Sequence, residues 1–399
     1  MWDSLEEAKK KSKIQGVLAW ADAAAVNESY LRDARDIIYR AESVVSEITA
    51  YRTLSQSAPW HTEGPMLIHH IERMLGALYG VLDEKFSIFF LDEFAREKHL
   101  FQEMEELQET MREQAATLMA FVLLHDIGKL STITFEAPPG SAGAHEGFAP
   151  ESKLNTESKI ILYGKLVRAF AQTKKIQDQS VLSAAFFDAY AIRVHYPDHA
   201  KISVSVKFER AFDAVGNLLR LNARDRETLR FLVEYHIDDI QFFKRSADHE
   251  KFALLQARAL KFHLDADDVL DLQLAALTLD TAFGTRVYKN GKFTADIMPV
   301  RNMLGAEEFG APGRKVRRHL LFQERERKAL KALLATAGLD AETVFEELNL
   351  PFGHERSGTL ESIRHYVTDP AVSLPADCYT GNIRKKILHA RALYQARRP

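Results

Sequence analysis

The sequence predicts an all-α protein: one mostly helical body, with N-terminal helices and a C-terminal helical extension. Apolar residues return at intervals of three and four through most of the chain, the spacing that gathers them on one side of a helix. Only Tyr288-Lys289-Asn290-Gly291-Lys292-Phe293 reads as a tight turn or hairpin. At 399 residues, 46% hydrophobic and 27% charged, the chain has the balance of a soluble globular protein and can bury one large core or two medium ones.

Composition excludes several classes of function. A formal net charge of -3 gives no general attraction to nucleic acid or to a membrane surface. No apolar run approaches the roughly 18 residues of a membrane span, and Met1-Trp2-Asp3-Ser4-Leu5-Glu6-Glu7 lacks the basic-then-apolar layout of a signal peptide. Cys378 is the only cysteine, so one chain can form neither a disulfide framework nor a thiolate zinc site. The expected compartment is therefore the cytoplasm, and any metal must be held by His and carboxylate.

Taken in order, residues 1 to 57 read as helical, with Leu31, Ala34, Ile38, Ala41, Val45 and Ile48 recurring on one face and no side chain that asks for chemistry. Packing or a homodimer contact is the expected role. A helix then opens at Pro65, whose fixed φ suits the first helical position, and runs to about Leu82 with Leu67, Ile71, Met74, Leu75, Leu78 and Leu82 inward. His70 lies at the edge of that stripe and His69 points toward Glu72 and Arg73, which favours His70 as the inward imidazole and keeps His69 in reserve. A charged helix over 97 to 113 leads to a second, apolar one over Ala115 to Leu124. That helix ends in His125-Asp126-Ile127-Gly128-Lys129, a polar pair at the edge of a core where an unpartnered charge is costly.

The Pro- and Gly-rich stretch 135 to 153 is the clearest loop, and it holds His145-Glu146 as a second candidate pair. Helices are expected over Leu154 to Phe170, Val181 to Val194 and Ile202 to Leu221, the last preceded by His195-Tyr196-Pro197-Asp198-His199, where Asp198 could instead cap the helix. Glu227 to His236 forms a compact helix with His236 on the inner edge of its last turn, and Asp238, Asp239 and His249 beyond it read as surface. Leu270 to Phe283 presents a face of small and apolar residues on which Asp280 falls; a carboxylate there is rare unless paired. From Ala311 onward Lys and Arg exceed Asp and Glu by about six, a basic tail able to steer a phosphate-rich ligand.

The stretch Phe121 to Lys129 resembles the signature of the HD superfamily of metal-dependent phosphohydrolases, named for its adjacent His and Asp. The phrase His61 to Leu75 resembles the helix start that carries that family's first ligand, and Leu232-Val233-Glu234-Tyr235-His236 resembles its additional His-bearing helix end. Leu277 to Gly284 resembles its closing Asp helix. Tyr196-Pro197-Asp198-His199 is similar to a phrase of the tRNA nucleotidyltransferase branch, which makes about 136 to 190 an insertion within an HD-type domain over 58 to 290, followed by the basic region 291 to 399. The Gly-Ser-x-Asp-x-Asp motif of a nucleotidyltransferase is missing upstream, so nucleotide addition is not expected.

The resemblance implies metal ligation by His70, His125, Asp126 and Asp280, with His199 and His236, or His145 in place of His199, serving a second ion. Asp126 and Lys129 would be catalytic, with Lys207 or Arg210 as further phosphate contacts. The ions would be one or two divalent cations among Mn, Fe, Zn, Ni, Co and Mg, since N/O ligands alone do not choose. The implied activity is hydrolysis of a phosphomonoester or phosphodiester on a phosphorylated small molecule, a nucleotide or an RNA end. A di-iron oxygenase of the same fold and a non-catalytic metal-binding module stand as alternatives.

Overall fold

The computed structural model describes residues 28–58, 61–83, 100–244, 249–289 and 292–306. The first 27 residues, the aromatic stretch after Asp83, and the basic tail with residues 340 to 399 lie outside them. All described residues fall in the first of two compact units, Met1–Gly310 and Ala311–Pro399.

The chain is mostly helical, as its periodicity predicts. Helix α1 (Glu28–Val44) is followed by a 3-10 turn, Ser46–Arg52, and then by α2 (Leu67–Leu82), α3 (Phe101–Glu113) and α4 (Ala115–Leu124). A single turn, α5 (Lys129–Thr132), and strand β1 (Thr134–Glu136) come next. Helices α6 (Thr156–Lys174) and α7 (Gln179–Tyr190), strand β2 (Arg193–His195) and the short α8 (His199–Ser203) complete the middle of the unit. Beyond them lie α9 (Glu209–Leu218), α10 (Ala223–Phe243), α11 (His249–Lys261) and α12 (Ala266–Leu277), which runs on as a π-helical segment, Thr278–Gly284. The hairpin β3 (Arg286–Lys289) and β4 (Lys292–Ala295) and helix α13 (Met298–Leu304) close the described part.

Helix α4 is the axis of this body. Its sequence, AATLMAFVLL, is apolar around nearly the whole circumference, and such a helix must be enclosed by others. Helices α2, α3, α9, α10 and α12 all pack on it, and Leu118 and Ala120 to Leu124 are completely buried. The segment that leaves its C-terminus is thereby delivered to the middle of the bundle. Helix α1 lies along α2 and covers its outer side, with Ala34, Ile38 and Ala41 buried as the stripe predicts.

Four details depart from expectation. Helix α2 begins at Leu67, so Pro65 precedes the helix instead of opening it. The helix expected to reach Val194 stops at Tyr190, with Ala191 in the left-handed region at φ 54. Val194 then pairs with Phe135 in the β1–β2 ladder, an antiparallel contact invisible to local periodicity. The helix expected over Ile202 to Leu221 is divided into α8, a 3-10 turn at Val206–Phe208 and α9. Ser205 donates its hydroxyl to the Ile202 carbonyl at the break, a local bond that competes with helix, and Val206 in the 3-10 turn is exposed. Finally α10 is twice the expected length, which carries Asp239 into the core instead of leaving it at the surface. Among the described residues no helix is long and apolar enough to cross a membrane.

Candidate metal centre

Where α4 ends, His125 occupies its C-cap and the chain turns through Asp126, Ile127 and Gly128 before α5 begins. Adjacent side chains converge here because the helix has stopped: His125 Nε2 lies 3.2 Å from Asp126 Oδ2. Gly128 permits the turn to press against α8. A Cβ on Gly128 would meet the His199 carbonyl oxygen at 2.1 Å and the Ser203 amide nitrogen at 2.7 Å. Ser203 completes the junction, accepting from the Gly128 amide at 2.9 Å and standing within donor distance of the His125 and His199 carbonyls at 3.0 and 2.9 Å.

Five chain segments bring six side chains to this point. His70 from the first turns of α2, His125 and Asp126 after α4, His199 at the start of α8, His236 within α10 and Asp280 in the π-helical segment are all buried. Asp126 Oδ1 is 3.2 Å from His199 Nε2 and 3.9 Å from His236 Nε2, while His70 Nε2 is 3.2 Å from Asp280 Oδ1. The potential ligand atoms of His70, His125 and Asp126 lie within 4.8 Å of one another, and so do those of Asp126, His199 and His236. These groups could hold a metal ion.

The tautomers are built in by the backbone. Nδ1 of His125, His199 and His236 stands 3.1, 2.9 and 2.7 Å from the carbonyls of Val122, Tyr196 and Val233, each three residues earlier. A carbonyl only accepts, so in each neutral ring Nδ1 carries the proton and Nε2 keeps its lone pair. The Nε2 atoms of His70, His125, His199 and His236 are all buried without a hydrogen-bond partner. Four buried imidazole nitrogens without hydrogen bonds beside two carboxylates are costly in an apolar core, and a cation among them would remove that cost.

Electrostatics agree. Burial alone would raise the Asp126 carboxyl, but His125, Lys129 and His199 outweigh it and hold it well below the usual carboxylate range. Asp280 is likewise held down against its burial, by His70 first and by His125 and His236 beyond it. His236 is pushed down from 6.5 to about 3 by burial and by the neighbouring His125 and His199, so it stays a neutral donor. His70 goes the other way, raised to about 10: burial disfavours its charge, but Asp280 and Glu63 favour it more strongly.

Lys129 is buried, with Nζ 2.7 Å from Asp126 Oδ2 and 4.9 Å from the centre of the Tyr196 ring. The other candidates fall elsewhere. His69 is half-buried and accepts from the Met66 amide at 3.3 Å, an N-terminal cap for α2. His145 is exposed on a short π-helical segment after β1, Ala144–Phe148, where the sequence predicts loop. Lys207 is exposed and bonded to Ser131 Oγ at 2.6 Å, and Arg210 is exposed. Asp198 is left-handed, at φ 54, and its side chain caps nothing.

Sequence reading missed His61 and Glu63 as members of the site. Glu63 is buried, with Oε1 2.8 Å from His61 Nδ1 and 3.2 Å from His70 Nδ1. His61 and His70 hold its carboxyl well below the ordinary value in spite of burial. The available signal was an acid two residues from one histidine and seven from another, in a turn without periodicity. Comparison with known family models, with characterised proteins and with solved structures finds no match.

Proposed function

We propose that this chain is a metal-dependent phosphohydrolase of the HD type, cleaving a phosphomonoester or phosphodiester on a nucleotide or RNA end. The observation that carries the proposal is the set of four buried Nε2 atoms, none of them hydrogen-bonded, that face the carboxylates of Asp126 and Asp280. Asp126 turns Oδ2 toward His125 and Lys129 and Oδ1 toward His199 and His236, the arrangement of a carboxylate shared between two ions. On this reading His70, His125, Asp126 and Asp280 hold one divalent cation, and Asp126, His199 and His236 hold a second. With nitrogen and oxygen donors alone, Mn, Fe, Zn, Ni, Co and Mg remain candidates.

Divalent ions held there would acidify a bound water and neutralise charge on a phosphoryl group. Lys129 supplies a fixed positive charge beside the shared carboxylate, suited to oxygens that gain negative charge as a phosphate ester is cleaved. The di-iron oxygenase would use the same ligands, and oxygen uptake is the measurement that separates the two readings. His125, His199 and His236 are held by main-chain carbonyls, so the cluster is ordered before any substrate arrives.

Elemental analysis of the purified protein, together with a phosphatase screen on p-nitrophenyl phosphate and its bis-ester with added Mn(II), tests the proposal. Bound metal and turnover, both lost in the His125→Ala/Asp126→Ala double variant, are expected. Metal that persists in the double variant overturns the site; metal-dependent oxygen uptake without phosphatase activity moves the assignment to the oxygenase.

A further inference from the structure

We infer that Glu63 is a positioning residue that aims His70 at the ion beside Asp280, with His61 aiming Glu63 in turn. The inference rests on the metal reading above. His70 is the exception among the four central histidines. The other three rings are held through Nδ1 by a carbonyl three residues back, whereas His70 turns Nδ1 toward a carboxylate, 3.2 Å from Glu63 Oε1. A buried carboxylate needs a reason to be retained, and this one is fully engaged on its other sides. Its Oε1 meets His61 Nδ1 at 2.8 Å and its Oε2 accepts from the Arg286 amide at 3.2 Å.

The same contacts tie the two halves of one ligand set together. Thr62 donates both its amide, at 3.0 Å, and its hydroxyl to the Arg286 carbonyl, and Thr285 Oγ1 donates to the Asp280 carbonyl at 2.9 Å. The loop bearing His61 and Glu63 is thus stitched to the chain just beyond Asp280. Gly284 lets the π-helical segment press on α2: a Cβ there would come within 2.6 Å of Met74 Cγ and 2.7 Å of His70 Cε1. A carboxylate behind a ligating imidazole fixes its orientation and strengthens its donor nitrogen. Here it does so for one ion only, since the histidines that face Asp126 Oδ1 rest on the main-chain carbonyls of Tyr196 and Val233.

Mn(II) titration of the wild type and of Glu63→Ala, Glu63→Gln and Glu63→Asp, in competition with a chelator, tests this, with circular dichroism to confirm folding. The wild type should bind two ions. Glu63→Ala should keep one at wild-type affinity and bind the other about 10- to 100-fold more weakly. Glu63→Gln, which preserves volume without charge, should show the same selective loss to a smaller extent, and Glu63→Asp should recover part of it. Unchanged affinity at both ions, or equal loss at both, overturns the inference. Three ions in the wild type and two in Glu63→Ala would make Glu63 a ligand instead of a positioning residue. A wild type that binds no Mn(II) sinks the metal reading itself, a result distinct from these.

Discussion

Asp126 Oδ1 stands 3.2 Å from His199 Nε2 across the junction of two chain segments, while the other oxygen of the same carboxylate faces His125 and Lys129. One side chain therefore belongs to both halves of the cluster, and Asp280 to one half. Replacing Asp126 with Ala should abolish binding of both ions, whereas Asp280→Ala should remove one. Metal-to-protein ratios by elemental analysis after dialysis distinguish the two variants.

Lys129 offers charge without ligation. Lys129→Ala should retain bound metal and lower phosphatase turnover about 100- to 1,000-fold, the range for removing one group aimed at developing charge. Steady-state kinetics beside metal analysis checks it; full activity in this variant would remove the lysine from the chemistry.

The contact of Gly128 with α8 leaves no room for a side chain. Gly128→Ala must push the His199 carbonyl and the Ser203 amide away, at a cost of about 2–4 kcal/mol. Ser203→Ala should cost about 1–3 kcal/mol by leaving the Gly128 amide buried and unbonded. Urea denaturation measures both, and in each case the ion beside His199 should be the one that weakens.

Stability of the metal-stripped protein should vary with pH in opposite directions on the two sides of neutrality. His70 is raised from 6.5 to about 10, so its contribution is complete below about pH 6.5 and is lost as pH rises toward 10. His236 is lowered from 6.5 to about 3, so its contribution is present above 6.5 and is lost as pH falls toward 3. Saturating metal should reverse the alkaline limb, because imidazole must shed its proton to ligate. Thermal melts from pH 5 to 9, with chelator and with Mn(II), show the sign directly.

Asp239 is buried with one carboxylate oxygen unbonded. Burial, with Asp238 adding to it and Arg258 opposing it, raises its carboxyl well above 3.8. Its folded form prefers the proton, so this site costs stability as pH rises through and above 3.8. Asp239→Asn should stabilise the protein by about 1–2 kcal/mol at pH 7 and by less near pH 4, read as a rise in melting temperature.

What could be read in advance follows from what periodicity encodes. His70 and Asp280 were legible because each interrupts an apolar stripe whose direction is set by the helix. His125 and Asp126 were legible because an apolar run as long as α4 must end somewhere inside. Asp239 was misjudged because Asp238-Asp239 looks like a solvated pair; only the true length of α10 shows that Asp239 falls one turn beyond His236 on the same buried face. His61 and Glu63 sit in a turn, where side-chain direction follows from tertiary bonds to Arg286 that leave no local trace. The division of the helix after His199 turns on the Ser205 hydroxyl's bond to the Ile202 carbonyl, which apolar periodicity does not register.

The β1–β2 pairing has only three rungs, Thr134 to His195, Phe135 to Val194 and Glu136 to Arg193, yet it closes the base of the whole excursion between them. The chain passes out through β1 and back through β2 at adjacent points, and the residues between stay tied to the core: Phe148, Tyr163 and Phe186 are buried, Tyr163 donates to the Gln56 carbonyl and Ser183 to the His61 carbonyl. A change of length between the two strands can leave Lys129 and His199 in place only where it spares Tyr163 and Ser183. The excursion is thereby one wall of the scaffold, braced by Ser183 against the turn that bears His61 and Glu63.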